Sequence, residues 1–294
     1  MSDELVSAIL PEGGLRAILA TTTTLSRQAR AQHHVAPAAS DFFARSLTSG
    51  LLLASLQKEA TRVNLQLVCD GPLRGVFVDA SSEGTVRGYP NAPQANVEGA
   101  PGPFRWRPLL GNVGQLAVLR DAGKGEFYRS SIQLEAFEPA ADLQQFFAVS
   151  EQVPTEVWLE VIPSGEERLG RVAGLLLQPL PDADPDFFQT WTSRLRGAGG
   201  FADVLAAPGE ERGAEALLAA LFEGTAISPM LHQPLSLACR CNREGVVNAA
   251  RLMGKAELED ILNTDGKLEA TCHFCNTSYV VDAAELRALI DEQG

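Results

Sequence analysis

Basic charge is scarce in this sequence. Its 294 residues carry 24 Lys and Arg against 37 Asp and Glu, a formal net charge of −13. Nucleic acids are bound through basic faces that displace counterions, so this balance argues against a general nucleic-acid binder and against a partner on an anionic membrane. Long apolar runs are absent too. The longest patch, around Leu51–Leu56, falls far short of the ~20 residues that span a bilayer. Met1-Ser2-Asp3-Glu4-Leu5 is acidic where a signal peptide would be basic. The expectation is therefore a cytoplasmic protein with reduced thiols. No nucleotide motif appears. A phosphate loop around Gly123-Lys124 would need glycine at Val118 and Ser or Thr at Gly125, and Gly197-Ala198-Gly199 lacks a third glycine at Ala202.

Cysteine is also sparse, but four of the five are concentrated in one pattern. Cys239-Arg240-Cys241 is followed, after the 30 residues 242–271, by Cys272-His273-Phe274-Cys275. Two local clips of thiolates supply the four ligands of a tetrahedral zinc site. Such a site can be purely structural, or it can be a switch. Metal-bound sulfurs are deprotonated and open to attack by peroxide or hypochlorite. Four cysteines allow three disulfide pairings. Pairing within each clip closes only tiny loops and constrains the chain little, whereas zinc ties the two ends of the spacer together. A small metal domain rarely has a folded metal-free state, so loss of zinc is expected to unfold it. Cys69 falls on the apolar side of a strand and reads as a small buried hydrophobe.

A hydrophobic content of 45% over this length supports one full core and a second small domain. Residues 1–34 read as a short strand with polar flanks, with His33 and His34 on the surface. Phe42, Phe43, Leu47, Leu51 and Leu52 recur at helical spacing within 38–58. Residues 62–90 alternate with period two as an antiparallel meander, and 91–112 is a Pro-, Gly- and Asn-rich loop. Strands follow at 115–120 and 127–134 around the Gly123-Lys124-Gly125 turn. A helix is expected over 140–152, then a strand pair at 156–162 and 171–177. Asp184-Pro185 is a helix start. Residues 187–230 carry helical apolar patterns broken at Gly197–Gly200 and Pro208–Gly213. In the cysteine-rich region, two helices joined at Gly254 precede a hairpin, and Asp282 with Glu285 starts a last helix. The fold class is α+β: a mixed-sheet domain packed with helices over 1–181, a helical linker over 182–234, and a four-cysteine domain over 235–294.

The cysteine spacing, with Asn242-Arg243-Glu244 after the first pair, resembles the redox-regulated heat-shock holdases known as the 33 kDa chaperonin family. Phe146–Thr155, containing Ser150-Glu151-Gln152-Val153-Pro154-Thr155, and Ala173–Pro181 are similar to that family's segments as well. Gly245, Val246 and the extra Cys69 depart from it without touching a ligand position. The resemblance implies an ATP-independent chaperone without enzymatic activity, inactive while reduced and carrying one zinc ion on Cys239, Cys241, Cys272 and Cys275. It implies disulfides Cys239–Cys241 and Cys272–Cys275 on oxidation, loss of zinc, unfolding of the linker and C-terminal region, and dimerisation of a monomer. Unfolding client proteins would bind apolar surface that includes Phe187, Phe188, Trp191, Leu195, Leu217, Leu218, Leu221 and Phe222. Two other readings compete. A zinc-ribbon protein that binds nucleic acid or the ribosome needs a basic patch, but Glu244, Glu257, Glu259 and Asp260 offset Arg240, Arg243, Arg251 and Lys255. A thiol–disulfide oxidoreductase needs Cys272-x-x-Cys275 at a helix start in a βαβ setting.

Overall fold

The structure, a computed structural model, describes residues 2–57, 61–97, 105–121, 127–207 and 212–293. The chain divides into two compact units, Met1–Ala238 and Cys239–Gly294. The Gly123-Lys124-Gly125 turn, part of the 91–112 loop and Pro208–Glu211 lie outside the described residues.

The larger unit opens with a hairpin, β1 (Glu4–Leu10) and β2 (Leu15–Thr21), closed between Leu10 and Leu15. Helices α1 (Thr23–Gln32) and α2 (Pro37–Ser55) follow. Next come β3 (Arg62–Cys69), β4 (Gly75–Ser81), β5 (Thr85–Pro90), the short α3 (Arg107–Leu110), β6 (Gly114–Asp121) and β7 (Phe127–Gln133). Helix α4 (Pro139–Phe146) runs into a π-helical turn (Phe147–Glu151) and on to β8 (Glu156–Ser164) and β9 (Glu167–Pro179). Three helices, α5 (Pro185–Arg196), α6 (Phe201–Ala206) and α7 (Ala214–Leu221), precede β10 (Ser228–Pro234) and β11 (Ser236–Leu237).

Two sheets result, ordered β10-β1-β2-β9-β8 and β11-β5-β4-β3-β6-β7. Helix α2 packs on both, and nearly all its residues from Ala39 to Ala54 are buried. A helix buried on nearly every side is a core helix, and its polar residues are satisfied internally: the Ser46, Thr48 and Ser49 hydroxyls donate to its own carbonyls and Arg45 pairs with Asp41. Phe42, Phe43, Leu47 and Leu51 join Ile18, Leu176, Leu65, Val78 and Val118 in the main core. The first sheet is apolar on both faces, which is why Leu175-Leu176-Leu177 shows no alternation. Leu176 faces α2, while Leu175 and Leu177 face a second core formed with α5, α6 and α7.

The expected α2, the 62–90 meander, the two strands around residue 121, the α4 region and the β8–β9 pair are all present within a few residues. Three stretches differ. Residues 1–34 form a hairpin and α1 rather than one short strand. Helix α1 has no cap from Thr22; the buried Asp3 carboxylate accepts from the backbone N–H groups of Thr24, at 3.0 Å, and Leu25. A cap supplied from another element leaves no local sequence signal. His33 is not on the surface: it is 5% exposed, with its ring edge-on to Phe43 at 6.0 Å. Residues 228–234 are not helical but form β10, an edge strand antiparallel to β1. Its residues are almost all exposed, so β1's open hydrogen bonds set its conformation and no burial pattern announces it. Within the expected 91–112 loop, α3 tucks Leu109 and Leu110 into the main core beside Trp106.

The smaller unit holds α8 (Arg243–Arg251), α9 (Lys255–Thr264), the hairpin β12 (Leu268–Thr271) and β13 (Ser278–Val281), and α10 (Ala283–Asp291). Gly254 is the N-cap of α9, and Asp282 with Glu285 forms a complete capping box on α10. Six buried residues, Ala250, Leu258, Val281, Leu286, Leu289 and Ile290, make its core, with Val246 packed against them. So small a core needs a staple.

Candidate metal centre

The four cysteines of the smaller unit meet at one point, with Sγ atoms all within 4.8 Å of one another. Local structure aims each pair. Cys239 and Cys241 lie in an irregular stretch that ends where the Asn242 side chain caps α8, accepting from Gly245 N at 2.7 Å. Cys272 and Cys275 sit in the turn joining β12 to β13. There Cys272 N donates to Thr277 O at 3.0 Å, Asn276 N donates to Cys272 O at 2.8 Å, and Asn276 takes a left-handed φ of +53°. Asn tolerates that conformation better than most residues, so the turn closes with little strain. The site of Cys272-x-x-Cys275 between antiparallel strands differs from a redox dithiol, which sits at a helix N-terminus.

Close sulfur contacts tie one pair to the other. Cys239 Sγ is 3.7 Å from Cys272 Sγ, and Cys241 Sγ is 3.1 Å from Cys275 Sγ. A tetrahedral ion with metal–sulfur bonds of about 2.3 Å sets its sulfurs about 3.8 Å apart. Four sulfurs at this spacing, contributed by two distant segments, fit such an ion. Burial opposes ionisation of these thiols: it is the main cause pushing Cys241 up to about 12, with contacts to Cys275, Cys239 and Cys272 adding to it. Cys272 is raised for the same first reason. A bound dication reverses this, because it stabilises the thiolates it touches.

One member of the site was not anticipated from sequence. Tyr279 Oη lies 3.2 Å from Cys241 Sγ, and that hydrogen bond is the main cause pushing the phenol up to about 12. The signal was available in the hairpin, since β13 carries Tyr279 back past the turn opposite Ala270. Cys275 Sγ also contacts Thr277 Oγ1 at 3.3 Å. His273 is not one of the clustered ligands, and Cys69 is buried in the main core of the other unit. Two local arginines are paired: Arg243 with Glu285, and Arg251 with Glu292 at 3.1 Å.

The Hsp33 protein family model matches residues 3–282, a span that takes in both units and all four clustered cysteines. The chain belongs to the Hsp33 family. Similar proteins include the 33 kDa chaperonins of Cyanothece, 36% identical over 99% of this chain and 98% of its own, and of Geobacillus kaustophilus, 30% identical over 98% of each. The crystal structure of the 33 kDa chaperonin (heat shock protein 33 homolog) from Thermotoga maritima superposes with a TM-score of 0.88 at 25% identity. It covers 100% of this chain and 99% of that one. Among the described residues, no helix of this Hsp33 family member is long and apolar enough to cross a membrane.

The apolar residues singled out between 187 and 222 come together in the larger unit. Trp191, Leu195, Leu217, Leu218, Leu221 and Phe222 are buried on the outer face of the first sheet, with Phe187 and Phe188 packed beside them. Trp191 packs at 4.9 Å against Phe222, the rings tilted by 55°, and carries the Arg194 guanidinium at 4.7 Å. Gly13, in the β1–β2 turn, is where Phe187 rests: any Cβ there would sit 2.0 Å from its ring. The next residue, Gly14, has φ +65°, and its carbonyl accepts from Leu180 N. Glu4 ties down the far end, accepting from Ala214 N at 2.6 Å and pairing with His232.

Proposed function

We propose that this chain is a redox-regulated, ATP-independent holdase that binds unfolding proteins and keeps them from aggregating, and that it catalyses no reaction. The observation that carries the reading is the convergence of four cysteine sulfurs from two distant segments, all within 4.8 Å of one another. In the reduced state one zinc ion would be held by Cys239, Cys241, Cys272 and Cys275 and would staple the smaller unit. Oxidation by a two-electron oxidant such as peroxide joins Cys239 to Cys241 and Cys272 to Cys275. Each bond would form between two zinc-bound thiolates, which give up two electrons to one peroxide; that peroxide takes two protons from solvent and leaves as two waters, and the zinc ion is released. Those bonds replace a tie between segments by ties within them, so the small core loses its staple.

The functional division would be 1–181 as the core domain, 182–234 as a metastable linker and 235–294 as the switch. Unfolding of the switch and linker uncovers the surface formed by Phe187, Phe188, Trp191, Leu195, Leu217, Leu218, Leu221 and Phe222, together with the sheet face beneath it. Client recognition would be hydrophobic and without sequence preference. The oxidised form would dimerise through the same kind of exposed surface, and the reduced form would be a monomer of the cytoplasm. The pairing of Arg243 and Arg251 with acidic neighbours supports a function that uses neither nucleic acid nor nucleotide. The test is light scattering from a heat-unfolding client, with the protein reduced and zinc-loaded or pretreated with warm peroxide, while a chelating dye follows released zinc. Suppression only by the oxidised, zinc-free form is expected. Equal behaviour with zinc retained would make the site purely structural.

A further inference from the structure

A cleft of about 590 Å³ opens in the larger unit where the main core ends, within the size range of small-ligand sites. Its walls come from the C-terminal end of α2, the end of β6, the π-helical turn and the residues just past β9. Two arginines line it. Arg16 pairs in register with Gln178, on the β2 face that carries Ile18 into the core. Its side chain makes no hydrogen bond or ion pair among the described residues. Arg120 gives only Nη1 to Glu151 Oε1, at 2.7 Å, and its Nε–H is buried without a partner. A buried donor left unmade is costly and calls for an explanation. The lining therefore has two guanidinium groups against one carboxylate, in a chain whose net charge is −13. Apolar atoms of Leu56, Phe147 and Val153 form much of the remaining wall.

The backbone at this cleft is unusual as well. The π-helical turn ends in Gln152 at φ +56°, a left-handed position that few non-glycine residues hold. Isolated π-turns recur at functional sites, where the extra residue re-aims side chains. Here the turn points Glu151 at Arg120 and sets Val153 on the wall. Nothing in the cysteine switch uses these groups.

We propose that the cleft binds a small amphipathic anion, with a carboxylate or phosphate head held by Arg16 and Arg120 and an apolar body laid against Leu56, Phe147 and Val153. The pocket is independent of the redox reading and lies wholly within the larger unit. The test is calorimetry on the full-length, reduced, zinc-loaded protein with octanoate, octyl phosphate, octylammonium and inorganic phosphate. Octanoate or octyl phosphate should bind at sub-millimolar concentration, and octylammonium should not. The tighter of the two anions assigns the head group. Arg16→Gln should weaken binding at least tenfold with an unchanged unfolding midpoint. Val153→Trp, which fills the cleft without changing charge, should abolish it. Undiminished binding by either variant, equal binding of the ammonium compound, no binding of either octyl anion, or inorganic phosphate matching octyl phosphate would each overturn the proposal.

Discussion

Replacing Trp191 by alanine should open the helical cover of the first sheet without touching the cysteines. Trp191 is 5% exposed and packs against Phe222, itself 1% exposed, and against Phe187 at 6.2 Å. Removing a buried Trp costs about 3–5 kcal/mol, including the cavity it leaves. The loss falls on α5 and α7, which are held to the sheet by the same cluster. Segments of this kind open locally at a fraction of the global stability. A loss of about 3 kcal/mol raises the open population roughly a hundredfold, since each 1.4 kcal/mol is tenfold. Hydrogen exchange followed by mass spectrometry should show faster exchange across Pro185–Leu221 in reduced, zinc-loaded W191A, with exchange in the four-cysteine unit unchanged. In the proposed mechanism that variant suppresses client aggregation without oxidant. Two results would refute the reasoning: unchanged exchange in the three helices, or helices that open while the reduced protein stays inactive. The second would mean that the covered surface is not where clients bind.

Removing zinc with a chelator under reducing conditions should unfold Cys239–Gly294, seen as loss of exchange protection in α8, α9 and α10 while the β3–β7 sheet stays protected. Peptide mapping of peroxide-treated protein should find Cys239–Cys241 and Cys272–Cys275; bonds from Cys239 to Cys272 or Cys241 to Cys275 would keep the two segments tied and sink the switch. Tyr279→Phe removes the hydroxyl beside Cys241 Sγ. Hydrogen bonds to charged groups are worth about 1.5–3 kcal/mol, so a less masked thiolate should release zinc to peroxide several-fold faster. Asp3→Ala strips the cap from α1 and should lower stability by about 1–2 kcal/mol in denaturant titrations. Burial raises the Asp3 carboxyl above its ordinary value, so the native state binds its proton more tightly than the unfolded state does. The stability advantage of wild type over D3A should therefore shrink as pH rises from about 4 through the folded-state pKa, then level off.

Legibility from sequence followed how local each cause was. The capping box at Asp282 and the Asp184-Pro185 start are written within four residues, and both helices begin where expected. The meander from β3 to β5 has one polar face, so its alternation survives. The cysteine cluster could be read because thiol spacing is itself the chemical requirement. What stayed hidden depends on distant partners. Asp3 caps a helix twenty residues away, Phe43 buries His33, and β10 exists because β1 has an open edge. The cleft at Arg16 is assembled from five separated segments, and no one of them carries a recognisable motif.

The first sheet takes its strands from both ends of the larger unit: β1 and β2 come from residues 4–21, β8 and β9 from 156–179, and β10 from 228–234. The second sheet, except for β11, is contiguous between residues 62 and 133. During synthesis, the ribosome therefore releases material for a nearly complete second sheet while the leading hairpin still waits for β9 on one side and β10 on the other. That delay leaves unpaired strand edges and apolar faces open on a nascent chain for more than a hundred residues of translation, a situation in which chains associate wrongly. Until its last strand arrives, a protein proposed to shield others from aggregation is itself in need of such shielding.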